Sequence, residues 1–294
     1  MVLAQNPVRL TFLGCGHIGK ALLGALLPSI SKPGSPISSI TVALNRKESE
    51  VQLRSLYRDS PAPINFVHSQ NIAAVKNADA ILFAFPPDQV NNVLGSADMR
   101  EALERKIIIS ILARTPRDEL NRLIYGNQPQ DSAMRDTQIV RAMPTMGTDV
   151  HESASLISNP DTPPGSGRNE AMELATWIFN LVGKVFHVSD DYFDTATGMS
   201  AFCNALTSVA TQIIVQKAVA EGVPRDHAIS IASQCIRGSA SLMLSGASPE
   251  KLQASLSAPG SITGQAISRL KDSQFQDFLE SSLSMALARA KGCI

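Results

Sequence analysis

The sequence has little of what marks a secreted, zinc-bound or nucleic-acid-binding protein. Its four cysteines, at positions 15, 203, 235 and 293, are scattered over 294 residues. None falls into CxxC or Cys/His ligand spacing, so neither a zinc site nor a disulfide framework is legible and the thiols read as reduced and structural. Lys plus Arg and Asp plus Glu number 26 each. A balance of this kind gives no electrostatic footing for nucleic acid or an acidic membrane surface. Met1 to Pro7 is too short and too polar for a signal peptide, and no apolar run approaches the ~20 residues of a membrane span. The expectation is a soluble, cytoplasmic protein with a sizeable core and one or two domains.

What is present begins at Val8. Six residues of strand character, Val8 to Leu13, run into Gly14-Cys15-Gly16-His17-Ile18-Gly19, and helical spacing follows through Ile18, Leu22, Leu23 and Leu26. A GxGxxG between a strand and a helix is a dinucleotide-binding opening. Gly14 allows the tight turn, Gly16 the approach of a pyrophosphate, Gly19 close packing of helix on strand, and the helix N-terminus meets the negative charge.

The chain continues in alternation. A Pro/Ser/Gly-rich loop at 28–39 precedes a second strand, Ile40 to Leu44, which ends in Asn45-Arg46-Lys47. NAD-selective folds place an acid near this strand end, whereas an Arg accommodates a 2′-phosphate, so the cofactor reads as NADP. Arg46 and Lys47 also fit a solvated helix start. Helical spacing through Val51, Leu53 and Leu56 is followed by a short strand near Asn65 to Val67 and a helix over Asn71 to Asn77. Asp79 to Phe85 then reads as a buried strand. Its end, Ala84-Phe85-Pro86-Pro87, is a candidate cofactor wall, since ligands of open α/β sheets bind beyond the carboxyl ends of strands. The prolines equally suit the start of the helix carrying Val90, Val93 and Leu94.

Further strands are expected at Ile107 to Leu112, Gln138 to Met143, Ala154 to Ile157 and Lys184 to Val188, with helices at Pro116 to Ile124 and around Trp177. Polar and Pro/Gly connections are expected at 126–136 and 159–167. The fold class is α/β: a Rossmann doubly wound parallel sheet over residues 1–189, altered at its late edge, followed by an all-helical dimerisation domain over 190–294. The helices of the second part are broken at Gly222-Val223-Pro224 and Gly246 to Pro249. They are apolar enough to predict a homodimer, or a higher oligomer, formed through them.

These segments resemble the pyrroline-5-carboxylate reductase family. The GxGxxG and Asn71 match its cofactor half, where the family's Asn contacts the adenosine ribose. Arg141-Ala142-Met143-Pro144 matches the RAMPNT run at the nicotinamide, and the stretch from Asp194 through Thr197-Gly198-Met199-Ser200 to Glu221-Gly222-Val223-Pro224 aligns without a gap. Ser257-Ala258-Pro259-Gly260-Ser261-Ile262-Thr263 resembles the SSPGGTT loop. The resemblance implies hydride transfer from NAD(P)H, read above as NADPH, to the C=N carbon of 1-pyrroline-5-carboxylate or a related cyclic imine, as in proline biosynthesis, without a metal. Together with the turn, strand-end and wall readings above, it puts the cofactor against Gly14, Gly16, His17, Ile18, Gly19, Asn45, Arg46, Lys47, Asn71, Ala84, Phe85, Pro86, Met143 and Pro144. It places the substrate against Gly260, Ser261 and Thr263, with Asn204 and Val209; backbone N–H groups of the glycine loop and the Thr263 hydroxyl would donate to a carboxylate.

The departures fall on the substrate side. Ala201-Phe202-Cys203-Asn204-Ala205-Leu206 stands where the family has GSGPAY, Val209 stands where many members have Thr, and Thr145-Met146-Gly147 replaces Asn-Thr-Pro. Gly260-Ser261 stands at the family's paired glycines, and Pro86 where a Lys is usual before Pro87. The pocket is therefore expected to take a bulkier or less polar cyclic imine. Ordinary pyrroline-5-carboxylate reduction and a non-redox binding protein or cyclase on the same scaffold are the alternatives. Among other candidates, His17 reads as a backbone contributor to the phosphate turn. Asp190, Asp191 and Asp194 read as charges favourable to a helix start, His227 as a surface residue, Cys203 as packing and His151-Glu152 as a loop pair at the rim.

Overall fold

The computed structural model describes residues 6–125, 137–159, 170–258, 260–271 and 273–293. The connections expected at 126–136 and 160–167, and Pro259 of the glycine loop, lie outside the described residues. By internal contacts the chain forms two units, residues 1–197 with 290–292, and 198–289 with 293–294.

The first unit is an eight-stranded sheet in the order β3-β2-β1-β4-β5-β6-β7-β8. Its strands are β1 Val8–Leu13, β2 Ile37–Leu44, β3 Ile64–His68, β4 Ala80–Phe83, β5 Ile107–Ser110, β6 Gln138–Met143, β7 Ser153–Asn159 and β8 Gly183–Ser189. Pairing is parallel as far as β6; β7 runs antiparallel to β6 and β8 parallel to β7, which is the predicted change at the late edge. The helices are α1 His17–Ile30, α2 Lys47–Leu56, α3 Asn71–Lys76, α4 Val90–Leu94, α5 Ala97–Leu103, α6 Arg117–Tyr125 and α7 Glu170–Asn180.

Alternation along the central strands divides the core. Ala80, Leu82 and Ala84 join Phe12, Ile109, α1 and α7 on one face, whereas Ile81, Phe83 and Phe85 join Leu13, Ile108, α5 and α6 on the other. Successive strand side chains point to opposite faces, so a strand covered on both sides must be apolar throughout. Every residue of β4 and β5 is buried accordingly.

Three expectations need correction. The loop at 28–39 is shorter than predicted, because α1 passes through Pro28 to Ile30 and β2 begins at Ile37; a proline this close to the helix end forgoes one backbone hydrogen bond without stopping it. In α2, Val51 and Leu56 are exposed and only Leu53 of the expected stripe is buried. The inward position beside it belongs to Glu50, whose carboxylate is neutralised by Lys47 at 2.6 Å and Arg54 at 2.8 Å. Those partners, Lys47 first, hold Glu50 below the usual carboxylate range. The third correction concerns the helical stretch from Asp190. It opens with α8 Asp190–Ala220, which is by length and composition apolar enough to cross a membrane, its most apolar 18-residue window having a mean hydropathy of 1.3. The expectation that no segment approached this length fails there.

The acids that open α8 are ion-pair partners. Arg141, with 5% of its side chain exposed, holds Asp194 at 2.6 Å and lies 4.3 Å from the Phe193 ring centroid; Arg117 meets Asp190 at 2.5 Å and Ser158 at 2.7 Å. Their first role is therefore charge pairing with sheet and α6 arginines, which keeps residues up to 197 in the first unit. In the second unit, α8 continues from Gly198 and is followed by α9 Arg225–Leu244, α10 Pro249–Leu256, α11 Ile262–Leu270 and α12 Ser273–Ala290. Its buried cluster holds Val215, Ala228 and Ala232, while Val209, Ile213, Ile214, Ile231, Leu244 and Phe278 are exposed. An apolar surface this large marks an association face.

The Arg141 pair gives a stability prediction. Asp194→Ala leaves a buried guanidinium without its closest counter-charge and should cost about 3 kcal/mol. Glu221→Ala removes the exposed partner of Lys217 and should cost less than about 0.5 kcal/mol. Urea unfolding of both variants checks the difference.

Candidate functional site

At the carboxyl ends of β1, β2 and β4 lies a cavity of about 260 Å³. The chain reverses direction over it at Gly14, where φ is +78° and an added Cβ would lie 2.9 Å from the Ala84 carbonyl oxygen and from Phe85 Cα. Only glycine fits a turn that is both left-handed and pressed on the neighbouring backbone. Gly16 is the N-cap of α1 and makes no side-chain cap. A Cβ there would meet nothing within 4 Å. The first N–H groups of a helix have no intrahelical partner, so this end offers donors to an anion. Gly19 is packed less tightly than expected: its added Cβ would make ordinary contact, 3.4 Å from Cys15 Sγ and 3.5 Å from Ala84 Cβ.

Of the cofactor residues expected from sequence, Gly14, Gly16, Asn45, Arg46, Asn71, Ala84, Phe85 and Pro86 line this cavity. Asn71 Oδ1 is buried there without a hydrogen-bond partner, while its amide lies 3.5 Å from Asn45 Oδ1. A buried acceptor without a partner, on a residue that lines a cavity, is what a ribose hydroxyl could complete. Arg46, the N-cap of α2, is exposed and is the cation lining this space. Lys47 lies outside the lining, committed to Glu50. His17, Ile18 and Gly19 sit in the first turn of α1, and Met143 and Pro144 at the end of β6, also outside the lining.

Sequence reasoning missed Ser49, Gln89 and Val93, which line the same cavity. Ser49 lies three residues beyond Arg46 on α2. Gln89 and Val93 lie four apart after the Pro86-Pro87 turn, a helical spacing that would have paired them. Also missed was Cys15, whose thiol burial pushes up to about 12. It is an inert, protonated thiol.

His17 does more than supply backbone. Its Nε2 lies 2.9 Å from Asp149 Oδ2, joining the glycine turn to the 3-10 turn Met146–Val150 that follows β6. His151 is not a free rim residue either: its Nδ1 lies 2.8 Å from the Leu181 carbonyl.

The residues expected at the substrate lie in the second unit. Val209 is 58% exposed on α8, where Leu206 and Cys203 are also exposed and Asn204 is half-buried. Gly260 has φ +76°, and Ser261 caps α11 by accepting the Gly264 N–H at 3.0 Å. Thr263 is placed differently from expectation. Its hydroxyl donates to the Leu256 carbonyl at 2.5 Å, so its proton is already engaged.

Residues 190–293 match the family described as pyrroline-5-carboxylate reductase dimerisation, and residues 9–114 match that described as NADP oxidoreductase coenzyme F420-dependent. A pyrroline-5-carboxylate reductase of Lophium arboricola is 29% identical over 274 residues, covering 88% of this chain and 84% of that protein. Another, of an Acremonium species, is 26% identical over 301 residues, covering 98% and 94%. Among solved structures, the pyrroline carboxylate reductase of Plasmodium falciparum with NADP bound has a TM-score of 0.76 at 20% identity, covering 97% of each chain.

Two measurements test the cavity. Gly14→Ala should destabilise the fold by about 2 kcal/mol or more, through strain and the backbone clash. Gly16→Ala should leave stability within about 1 kcal/mol and act on nucleotide binding. Cys15 should react with iodoacetamide at pH ~8.5 at least about a hundredfold more slowly than in the urea-unfolded chain. The sign follows from linkage: up to the ordinary thiol value of 9.0 both states hold this proton, and from there to about 12 only the unfolded chain releases it. Stability contributed by Cys15 is therefore lost as pH rises through that window.

Proposed function

On the premise that this chain is a member of the pyrroline-5-carboxylate reductase family, we propose that it is a cytoplasmic, homodimeric, NADPH-dependent reductase of a cyclic imine bulkier or less polar than pyrroline-5-carboxylate. The observation that carries the reading is a contrast. The nucleotide cavity keeps Gly14, an open Gly16 and the unpartnered Asn71 acceptor, whereas α8 presents Phe202 and Val209 where the family has Ser and, in many members, Thr.

The preference for NADPH is supported by Arg46, which lines the cavity at the end of β2 without an acid beside it. A guanidinium there can pair with a 2′-phosphate through two parallel hydrogen bonds. When bound, the reduced nicotinamide supplies the hydride. The protein's residues orient, exclude water and deal with the proton. Val209 has no proton to give, Thr211 donates to the Thr207 carbonyl at 2.6 Å and Thr263 to that of Leu256. General acid assistance is typically worth 10²–10⁴-fold. Engaged hydroxyls favour an imine basic enough to enter already protonated, which needs no acid. The homodimer is supported by the exposed apolar face of the second unit, and the cytoplasmic setting by the free thiols.

The testing experiment follows NADPH oxidation with pyrroline-5-carboxylate, piperideine carboxylate and carboxylate-free cyclic imines. The reading expects the larger or carboxylate-free imines to give the higher kcat/KM; turnover of pyrroline-5-carboxylate alone would return the protein to ordinary proline formation. Arg46→Asp should weaken NADPH at least about tenfold more than NADH, and equal losses would misplace the 2′-phosphate. Val209→Thr should raise kcat/KM for pyrroline-5-carboxylate if that position meets substrate, and an unchanged value would remove it from the site.

A further inference from the structure

A carboxylate beside the phosphate-binding turn is out of place if the turn serves only to attract anions. His17 is the first residue of α1, and its imidazole is engaged by Asp149 at 2.9 Å. Asp149 is held there by a well-built turn. The Thr148 hydroxyl donates to the Thr145 carbonyl at 2.6 Å, the Glu152 N–H to that of Gly147 at 2.9 Å, and a Cβ on Gly147 would lie 2.5 Å from the Glu152 carbonyl oxygen. The carboxylate is also felt at Tyr57, which follows α2 and donates its hydroxyl to the Lys20 carbonyl of α1: after burial and Cys15, Asp149 is the third cause that pushes the phenol up. A negative charge at a helix N-terminus is favourable in itself. Here it lies beside the first residue of the helix whose N-terminus would receive a dinucleotide's phosphates, just outside the cavity lining.

We propose that Asp149 is an affinity-setting residue of the nucleotide site, a resident anion that engages His17 and competes electrostatically with the phosphates of the incoming dinucleotide. It acts through charge and through His17, as a positioning residue rather than a catalytic one. Binding then exchanges one partner of His17 for another, and the carboxylate keeps the cofactor weaker, and quicker to leave, than the glycine turn alone would make it. The inference rests on the nucleotide-binding reading above. It deepens that reading by naming what tunes the site.

The test measures the Kd of NADPH by fluorescence titration of the full chain at fixed pH, for the wild type, Asp149→Asn, His17→Asn and the double variant. Asp149→Asn should tighten NADPH about fivefold at low salt, and Asp149→Ala should act in the same direction. The gain should shrink at ~0.5 M salt, where exposed charges are screened over a few ångströms; a merely structural change would keep it. His17→Asn should weaken binding in the wild-type background and cancel much of the gain in the Asp149→Asn background. Asp149 is exposed enough, at 48% of its side chain, for the amide to be tolerated, and thermal melts of each variant verify the fold. An unchanged or weaker Kd in folded Asp149→Asn and Asp149→Ala, or a gain independent of salt, overturns the proposal and leaves the cofactor reading intact. Failure of the wild type to bind NADPH overturns the cofactor reading itself, and this inference with it.

Discussion

The nucleotide site depends on one close approach, the Gly14 backbone against Ala84 and Phe85 at the end of β4. That contact lets the chain turn from β1 directly into α1 with the helix N-terminus directed over the carboxyl edge of the sheet. With any side chain at Gly14 the turn would stand off from β4, and the Asn71 and Arg46 positions would no longer share one cavity with it. The β1-β4 and β1-β2 registers, unbroken from Leu10 to Leu13, bring these three strands to a common edge. Backbone sterics thus precede electrostatics: the anion-binding character of the site follows from where the helix is made to begin.

A second constraint acts at the far side of the sheet. Arg141 and Arg117 receive Asp194 and Asp190, so the first turns of α8 are fixed by charge to β6, β7 and α6. Arg141 belongs to a run whose resemblance to the nicotinamide segment of a reductase family invites a role at the cofactor. Its side chain is instead buried beneath Phe193 and paired. Charge pairing holds the end of the first unit, and apolar surface characterises the second, where the exposed isoleucines and leucines form an association face. The match of this segment to a dimerisation family gives that face its class of partner.

Elements whose signal is local were legible in sequence. The glycine turn, the apolar β4 and β5 and the break at Gly222-Val223-Pro224 each announce themselves within a few residues, and the sheet order follows from them by general rules. What escaped depends on pairs distant in sequence. No local pattern marks Glu50 as an inward residue, since its burial needs Lys47 and Arg54 together. Asp149 lies 132 positions beyond His17, and only the fold shows that the two meet. Thr263 looked like a free donor because a hydroxyl's partner, here the Leu256 carbonyl, has no sequence signature. Ser49, Gln89 and Val93 were within reach of helical spacing, and Asn71 came from resemblance alone.

The central claim is that this edge of the sheet is a cradle for a 2′-phosphorylated dinucleotide, and head-to-head calorimetric titration of the wild-type chain with NADPH and NADH tests it most directly. Exothermic binding of NADPH with a Kd at least about tenfold below that of NADH is the expected result, because Arg46 has only the 2′-phosphate to distinguish the two. Equal affinities, or no heat with either nucleotide, would contradict the account.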